Sequence, residues 1–510
     1  MRSAFVLAGL LLVAFVLSSL PAFAVGRASG ELEGQAAPSA PIGGAADDYP
    51  RRVDQTLALI ERSAGIDAEP ALAVILAEPG FKRLPKAKRY DVLIAAGRNA
   101  VRAGKLELGR DRLVGAVALD ADQPYVWYLL AFTEADLGRG VEAASRLRHF
   151  AISWPELVNH VEARQLGYVA YLLERGSEGH IRLLQAFFDA GWNRSPASAS
   201  SFWFQLALMH LEQGAVDAAR AVAARVIHPT DIVSMRMDRR FAPLTAGKED
   251  HWDPVVRGSQ LLAMLRDRAA DAPTDLEAQT ELFEAMLVMG LHEEILERSE
   301  PILQAIDAGD PAYQGQPMQN WIRNHRALAL LRLGRVEDGL AQMRLASEIS
   351  EHGQVGNTSQ VLNLAQLYGR LDRPQDALAT LGRVDGMSDY GRMVQASVRH
   401  TASVRRGDAE AAAEALEFLR EHRAKAPEQY LHALLFAERE DEAALAVVEL
   451  LRSDSERSST LRWLQDLKQP PVLKGEEPMR ERWLRLRERQ DVRTEVERWG
   501  SMGAYPIYAS

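Results

Sequence analysis

The chain has 510 residues, of which 47% are apolar and 25% charged, and its formal net charge is −10 at pH 7. This balance is typical of a soluble globular protein, and it excludes a wholly disordered chain and a polytopic membrane protein. The acidity argues against a nucleic-acid partner. Because the chain has no cysteine, disulfides, cysteine-ligated metal sites and thiol nucleophiles are excluded as well.

The first 24 residues have the pattern of a secretory signal. Arg2 is followed by an apolar run over residues 4–17 and by the small-residue triplet Ala22-Phe23-Ala24, so we expect cleavage after Ala24. The run is too short to cross a bilayer, which takes about 20 residues. We therefore predict a periplasmic or secreted protein with no integral membrane domain after cleavage. The alternative is a protein anchored to the membrane by an uncleaved N-terminus.

Residues 25–50 are rich in Gly, Ala, Pro and Ser and show almost no aliphatic periodicity. Such a segment cannot bury enough apolar surface to offset the entropy lost on ordering, so we predict a disordered linker. From residue 51 to residue 468 apolar residues recur at helical spacing, interrupted by Gly, Asp or Pro. Strand-like alternation is missing from this region.

The helical region repeats. The copy around Trp127 reads Trp127-x2-Leu130-Ala131, Gly138, Ala143-x3-Leu147 and Pro155. Related copies begin at Leu93, Trp203 and Val361, and weaker ones at Gln279, Arg323 and Ala396. The spacing between copies drifts from 34 to 38 residues, so the number of repeats stays open.

These residues resemble the tetratricopeptide repeat, in which W-x2-L-G-x2-Y is followed by a turn glycine, A-x3-F and a closing proline. The resemblance implies an all-α fold, a right-handed superhelical α-solenoid of helix pairs. Small residues such as Ala131 and Ala207 allow the two helices of a pair to approach closely. Because one pair cannot bury its own apolar face, the pairs must stack.

Two segments depart from the repeat. The first, an irregular insertion at about residues 228–258, places three arginines beside a phenylalanine: Arg236, Arg239, Arg240 and Phe241. Arginine forks pair with oxyanions, so this insertion edge is a candidate site for a phosphate or carboxylate. The alternative is a degenerate repeat with a solvated helix and a long connection.

The second departure covers residues 469–510. After the break that begins at Gln469, a charged helix is expected from about Pro478 to Trp499, followed by a tail. Its apolar residues can cover the last repeat, and its polar outer face suits a terminal cap. A helix lying on a membrane surface is the alternative.

No catalytic constellation is recognisable. The twelve histidines include no H-E-x-x-H and no pair at metal-ligand spacing, and the chain has no nucleophile elbow and no phosphate-binding glycine loop. We therefore predict a non-enzymatic protein without a cofactor.

The resemblance places the ligand on the concave face, lined by the first helix of each pair. Residues one, five or nine places after the first motif residue are expected there, and the candidates are Tyr128, Phe132, Phe204, Arg332, Arg370 and Arg405. The three arginines recur at equivalent places, and such a stripe could clamp an acidic peptide or its terminal carboxylate. Alternatively, they only favour the negative ends of their helices.

Two functions follow from these features. The first is a periplasmic scaffold or adaptor that binds a protein or peptide in cell-envelope or secretion assembly. The alternative is a solenoid that binds glycan or another polymer in polysaccharide export or cell-wall remodelling, with Trp192, Trp203, Trp252 and Trp321 as stacking platforms. A cryptic active site is a third and weaker hypothesis, because no segment of domain size remains outside the repeats.

Overall fold

The computed structural model describes residues 48–62, 68–314, 316, 318–349, 357–384 and 387–509. These residues are mainly helical, and they separate into two compact units. The N-terminal unit ends at Arg194 and the C-terminal unit begins at Ser195. The predicted signal segment and most of the predicted linker lie outside the described residues.

The N-terminal unit consists of consecutive helices, most of them in antiparallel pairs. They are α1 (Tyr49–Arg62), α2 (Glu69–Ala77), α3 (Pro79–Arg83), α4 (Lys86–Arg102), α5 (Leu106–Leu119), α6 (Pro124–Asp136), α7 (Gly140–Ser153), a 3-10 turn (Pro155–His160), α8 (Ala163–Tyr171) and α9 (Glu178–Asp189). Helix α1 begins at Tyr49, inside the range assigned to the linker, because the Tyr49 side chain is buried and its hydroxyl donates to Ile75 O at 2.7 Å.

The repeat positions form the core of each pair. In the α6–α7 pair, Leu130, Ala131, Ala143 and Leu147 have no exposed surface. The turn between these helices needs a left-handed residue, and Gly138 supplies it with φ 73° at little cost. The helix pair that the sequence predicts around Trp127 is thereby confirmed.

The C-terminal unit continues the same arrangement and ends in a different one. Its elements are α10 (Pro196–Glu212), α11 (Val216–Ala223), α12 (Pro229–Met237), a 3-10 turn (Arg239–Phe241), α13 (Ala242–Thr245), α14 (Pro254–Asp271), α15 (Leu276–Met289), α16 (His292–Asp307), a 3-10 turn (Pro311–Tyr313), α17 (Gln319–Arg332), α18 (Val336–Glu348), α19 (Thr358–Arg370), α20 (Pro374–Leu381), α21 (Asp389–Arg406), α22 (Ala409–Glu421), a 3-10 turn (Arg423–Lys425), α23 (Pro427–Phe436), α24 (Glu440–Arg452), α25 (Arg457–Trp463), β1 (Asp466–Lys468), α26 (Glu477–Glu488), α27 (Gln490–Trp499) and β2 (Ala504–Tyr508).

Helix pairs also occur where the sequence lacks the turn glycine. Asp372 lies between α19 and α20 with φ 60°, and Glu438 lies between α23 and α24 with φ 62°. The residue after each donates five residues back, Arg373 N to Tyr368 O and Arg439 N to Leu434 O, both at 2.9 Å. The turn after Gly138 has the same bond, so Asp372 and Glu438 occupy the glycine position of the repeat.

The C-terminal cap differs from the prediction. The expected single helix is two helices, α26 and α27, because the backbone is extended at Arg489. The break allows both helices to bury apolar residues in one cluster with α24: Trp483, Leu486, Val492 and Val496 pack with Val447 and Leu451. Strands β1 and β2, which the sequence does not predict, pair in parallel. The all-α fold of stacked helix pairs is otherwise confirmed. In the part of the chain that is described, no helix is both long and apolar enough to span a membrane.

Candidate functional site

Arg332, Arg370 and Arg405 lie at equivalent places, in the last turns of α17, α19 and α21. Two of them reach a carbonyl at the end of the preceding first helix: Arg332 Nη1 donates to Leu287 O at 2.5 Å, and Arg405 Nη1 donates to Gly369 O. They thus act on the negative helix ends, as one of the two interpretations expects. We call the surface that they share the arginine face.

The arginine face also holds a segment of the same chain. Arg370 Nε donates to Glu476 Oε1 at 2.5 Å, and Arg405 Nη2 donates to Gly475 O at 2.6 Å. Further along, Arg332 Nη2 donates to Ala509 O at 3.0 Å. Toward residues 475, 476 and 509, the guanidinium groups thus donate to one carboxylate and two main-chain carbonyls, groups that an acidic peptide also offers.

We call residues 469–476 the strap. Its seat on the arginine face is completed by Gly475 N, which donates to Arg370 O at 2.8 Å. Within the strap, Leu473 N donates to Glu476 Oε2 and Glu476 N to Leu473 O, both at 2.9 Å. The Leu473 side chain is 4% exposed and belongs to the core cluster that contains Leu364 and Leu367 of α19. The strap is thus a closed turn anchored by one leucine and one glutamate.

Burial strengthens the charge pairing on this face. The side chains of Arg370 and Glu476 are 17% and 12% exposed. Burial lowers the pKa of Arg405, and it lowers the pKa of Arg332 to about 10, with a smaller contribution from the charge of Arg370. Both groups stay cationic at neutral pH, so a carboxylate against them is favoured.

A pocket lies beside the strap, between first helices α19, α21 and α23. Its lining includes Gln366, Arg370, Ser397, Thr401, Arg405, His432 and Phe436, and Gly475 and Glu476 of the strap close one side. Burial, followed by the nearby charges of His400 and Arg405, lowers the pKa of His432 to about 4, so its ring is neutral at pH 7. The pocket therefore offers polar uncharged groups next to a cationic rim.

The last residues of the described chain cover a second part of the C-terminal unit. Arg236 lies over the Tyr505 ring at 5.4 Å, and Arg332 lies over the Tyr508 ring at 5.0 Å. Ser501 N donates to Met237 O at 2.9 Å. The end of the chain is thus fixed along α12 and α17 by cation–π contacts and main-chain hydrogen bonds.

The residues of the predicted insertion edge contact other residues of the same chain. Arg240 pairs with Asp238 and Glu212, each at 2.7 Å, and Arg239 Nη2 donates to Glu497 O at 2.6 Å. Phe241 has no exposed surface and stacks on Phe204, with ring centroids 5.1 Å apart. The prediction of a ligand edge at Phe241 is wrong, as is the prediction that Phe204 lines the groove, because the insertion folds onto α10 and buries both rings.

In the N-terminal unit the first-helix surface is aromatic. Tyr128 and Phe132 are half-buried and meet edge to face with ring centroids 4.8 Å apart, and Tyr128 Oη accepts from Gln165 Nε2 at 2.7 Å. Tyr125 is 46% exposed, with Arg98 over its ring at 5.8 Å. We call Tyr125, Tyr128 and Phe132 the aromatic face.

Asp136 lies at the end of the same helix, α6, and burial raises the pKa of its carboxyl group.

Three of the four tryptophans considered as sugar platforms are buried. Trp192, Trp203 and Trp252 are 1%, 2% and 4% exposed, so they cannot stack on a glycan. Among the described residues, no group of three His, Asp or Glu side chains is arranged to hold a metal ion.

The strap is the part of the site that sequence reasoning missed. Its two main contacts with α19 and α21 join residues 106 and 70 positions apart, a separation that no local pattern reports. The available signal was the Gln469-Pro470-Pro471 break, followed by a glycine and two acidic residues.

Comparisons with known proteins do not assign the chain to a family. No family model matches it, and no curated protein matches it. Among solved structures, yeast Tom70 is 13% identical over 81% of this chain and 94% of its own, with a TM-score of 0.28. The Cut9-Hcn1 hetero-tetramer of APC/C is 11% identical over 89% of this chain and 93% of its own, also with a TM-score of 0.28. Scores this low decide neither fold nor function.

Proposed function

We propose that this chain is a non-enzymatic scaffold that binds segments of partner proteins on its first-helix surfaces. One observation carries the proposal: the arginine face already binds a segment of the same chain, the strap, through the Gly475 carbonyl and the Glu476 carboxylate. Every polypeptide offers main-chain carbonyls, and an acidic side chain adds the charge that arginine selects.

The aromatic face is the second contact surface that we propose. Tyrosine and phenylalanine supply large, rigid contact areas with few rotatable bonds, and tyrosine adds a polar group at the rim. The partial exposure of Tyr125 and its pairing with Arg98 suit a protein partner that brings both apolar and acidic groups. Burial of Trp192, Trp203 and Trp252 removes three of the four stacking platforms of the glycan-binding alternative, and the fourth, Trp321, is half-buried.

We also propose that the protein is exported and acts in the cell envelope, in envelope or secretion assembly. The support is the signal pattern of residues 1–24, and a retained N-terminal anchor is the alternative. Fractionation of cells and mass measurement of the purified protein distinguish the two. Loss of residues 1–24 from a periplasmic protein supports export with cleavage, whereas a full-length protein in the membrane fraction supports the anchor.

The binding role is tested by photo-cross-linking in intact cells. A photoreactive amino acid replaces Tyr125 on the aromatic face, and the control position is Val141, which is 72% exposed on the second helix of the same pair. We expect a dominant protein adduct from position 125 and none from position 141. Equal adducts from both positions, or polymer in place of protein at position 125, would contradict the scaffold role.

A further inference from the structure

The strap contacts the arginine face as a ligand does. Of its eight residues, Leu473 alone is buried, whereas Pro471 and Lys474 are exposed. The elements on either side are anchored separately, since β1 pairs with β2 and the Trp483 side chain of α26 is 1% exposed in the cap cluster. Glu476 is also the N-cap of α26, so the strap can leave its seat with the loss of that cap while the rest of the C-terminal cap stays folded.

At position 475 the strap lies so close to α19 that only glycine fits. A Cβ on residue 475 would lie 2.8 Å from Arg370 O and 2.9 Å from Gly369 O. Both are main-chain atoms within or at the end of α19, so they cannot shift as a flexible side chain can. Any larger residue at position 475 would lift the strap from the arginine face.

When the strap leaves, the arginine face carries an excess of positive charge. The carboxylates within salt-bridge distance of Arg370 and Arg405 in the described chain are Glu476, from the strap, and Asp372. Asp372 also pairs with Lys474 of the strap at 3.1 Å. Without the strap, Arg370 would have no carboxylate of the described residues within salt-bridge distance, and Arg405 would have only Asp372, at 3.6 Å. This favours the entry of another carboxylate.

We propose that the strap is an intramolecular ligand, which blocks a binding site for acidic segments of partner proteins at Arg370 and Arg405. A partner binds there when its own acidic residue replaces Glu476 and its backbone replaces Gly475. The adjacent pocket lined by Gln366, Ser397 and Thr401 then accommodates the residues that follow. The proposal rests on the scaffold function above, to which it adds the partner chemistry and its control.

The test uses the strap itself as the probe. A fluorescent synthetic peptide of residues 469–480 is titrated into the full chain, into Gly475→Val and into Gly179→Val. Gly179 on α9 is the matched control, because it is exposed and a Cβ there meets only Leu173 Cδ2, at 3.9 Å. Since a site that is seldom open binds with reduced apparent affinity, we expect Gly475→Val to bind roughly tenfold or more tightly than the wild-type chain and Gly179→Val to bind as wild type does. A peptide with Glu476→Gln should bind Gly475→Val weakly.

Equal affinity of wild-type and Gly475→Val chains, or equal binding of the Glu and Gln peptides, would overturn the proposal. Thermal melting shows whether Gly475→Val is folded. If it is not, Lys474→Glu takes its place, because Lys474 is exposed and the reversed charge opposes Asp372. We expect that variant to bind the peptide about threefold more tightly than wild type.

The result separates this proposal from the scaffold function. If a partner cross-linked in cells is captured equally by wild-type and Gly475→Val chains, and the peptide does not distinguish them, the scaffold stands and the strap proposal falls. If the peptide distinguishes them but cells yield no protein partner, the site stands and the scaffold function falls.

Discussion

The two units place an arginine at the same repeat position in very different surroundings. Arg102 ends α4 in the N-terminal unit and is exposed. Arg370 ends α19 in the C-terminal unit, where its side chain is 17% exposed and paired with Glu476. The helices are equivalent, so the difference lies in the strap that covers the second arginine. The position of an arginine in the repeat determines on which face of the helix pair it lies. The segment that covers that face determines what the arginine binds.

The largest effect is expected from overpacking the core of the C-terminal unit. Ala207 has no exposed surface, so Ala207→Trp should lower the free energy of unfolding of that unit by about 3 kcal/mol. Ala413→Trp, at an exposed position on α22, is the control and should leave unfolding nearly unchanged. A wild-type melting curve for Ala207→Trp would contradict the helix-pair assignment.

The next largest effect is the pH dependence of the stability of the C-terminal unit, which contains the buried carboxyl group of Glu428. Burial raises the pKa of Glu428 to about 7, above its value in the unfolded chain. The group therefore contributes its full stability below the unfolded pKa, and that stability is lost as pH rises through 7. Glu428→Gln should raise the free energy of unfolding at pH 8 by about 2 kcal/mol relative to wild type and change it little at pH 4.

Urea unfolding at both pH values checks this. Glu414→Gln, on the exposed side of α22, serves as the control. A constant difference between Glu428→Gln and wild type at both pH values would show that Glu428 does not titrate as described.

Substituting the two equivalent arginines, Arg370 and Arg102, tests the comparison of the two units directly. Arg370→Leu leaves the Glu476 carboxylate without its guanidinium, which should cost about 1–2 kcal/mol. Arg102→Leu, at the equivalent position of the N-terminal unit, should cost less than ~0.5 kcal/mol. Unfolding by urea measures both. Equal losses would mean that the strap does not distinguish the two arginines.

The smallest effect concerns a turn without glycine. Glu438 has φ 62°, so glycine relieves the strain of the left-handed backbone, whereas alanine keeps it. Both substitutions lose the ion pair with Arg482. Glu438→Gly should therefore be about 0.5 kcal/mol more stable than Glu438→Ala after the entropy of glycine in the unfolded chain is subtracted, and Glu438→Ala should be less stable than wild type. A stabilising alanine would point to another cause.

Sequence reasoning predicted the features that depend on local pattern. Helix spacing, the turn at Gly138 and the recurrence of Arg332, Arg370 and Arg405 all follow from a repeat of fixed geometry. Of the two pairs without a turn glycine, the one with Asp372 is predicted by the copy that begins at Val361, whereas the one with Glu438 matches none of the copies, although its backbone at the turn is the same.

The contacts that decide the site are long-range, and local pattern does not report them. Phe204 is at a groove position of its repeat, yet Phe241, 37 residues later, covers it. Glu476 lies in a charged stretch of sequence that is typical of solvated surface. In the structure it nevertheless pairs with the largely buried guanidinium of Arg370 on α19. In both cases a segment outside the repeat rhythm folds back onto the repeats.

The measurement that tests the central claim most directly is amide hydrogen exchange at Gly475. Its N–H donates to Arg370 O at 2.8 Å, so in the wild-type chain it should exchange roughly tenfold or more slowly than in a free peptide of the same sequence. Arg370→Leu, which removes the partner of Glu476, should accelerate the exchange. Exchange of Gly475 in the wild-type chain at the free-peptide rate would show that the strap does not occupy the arginine face.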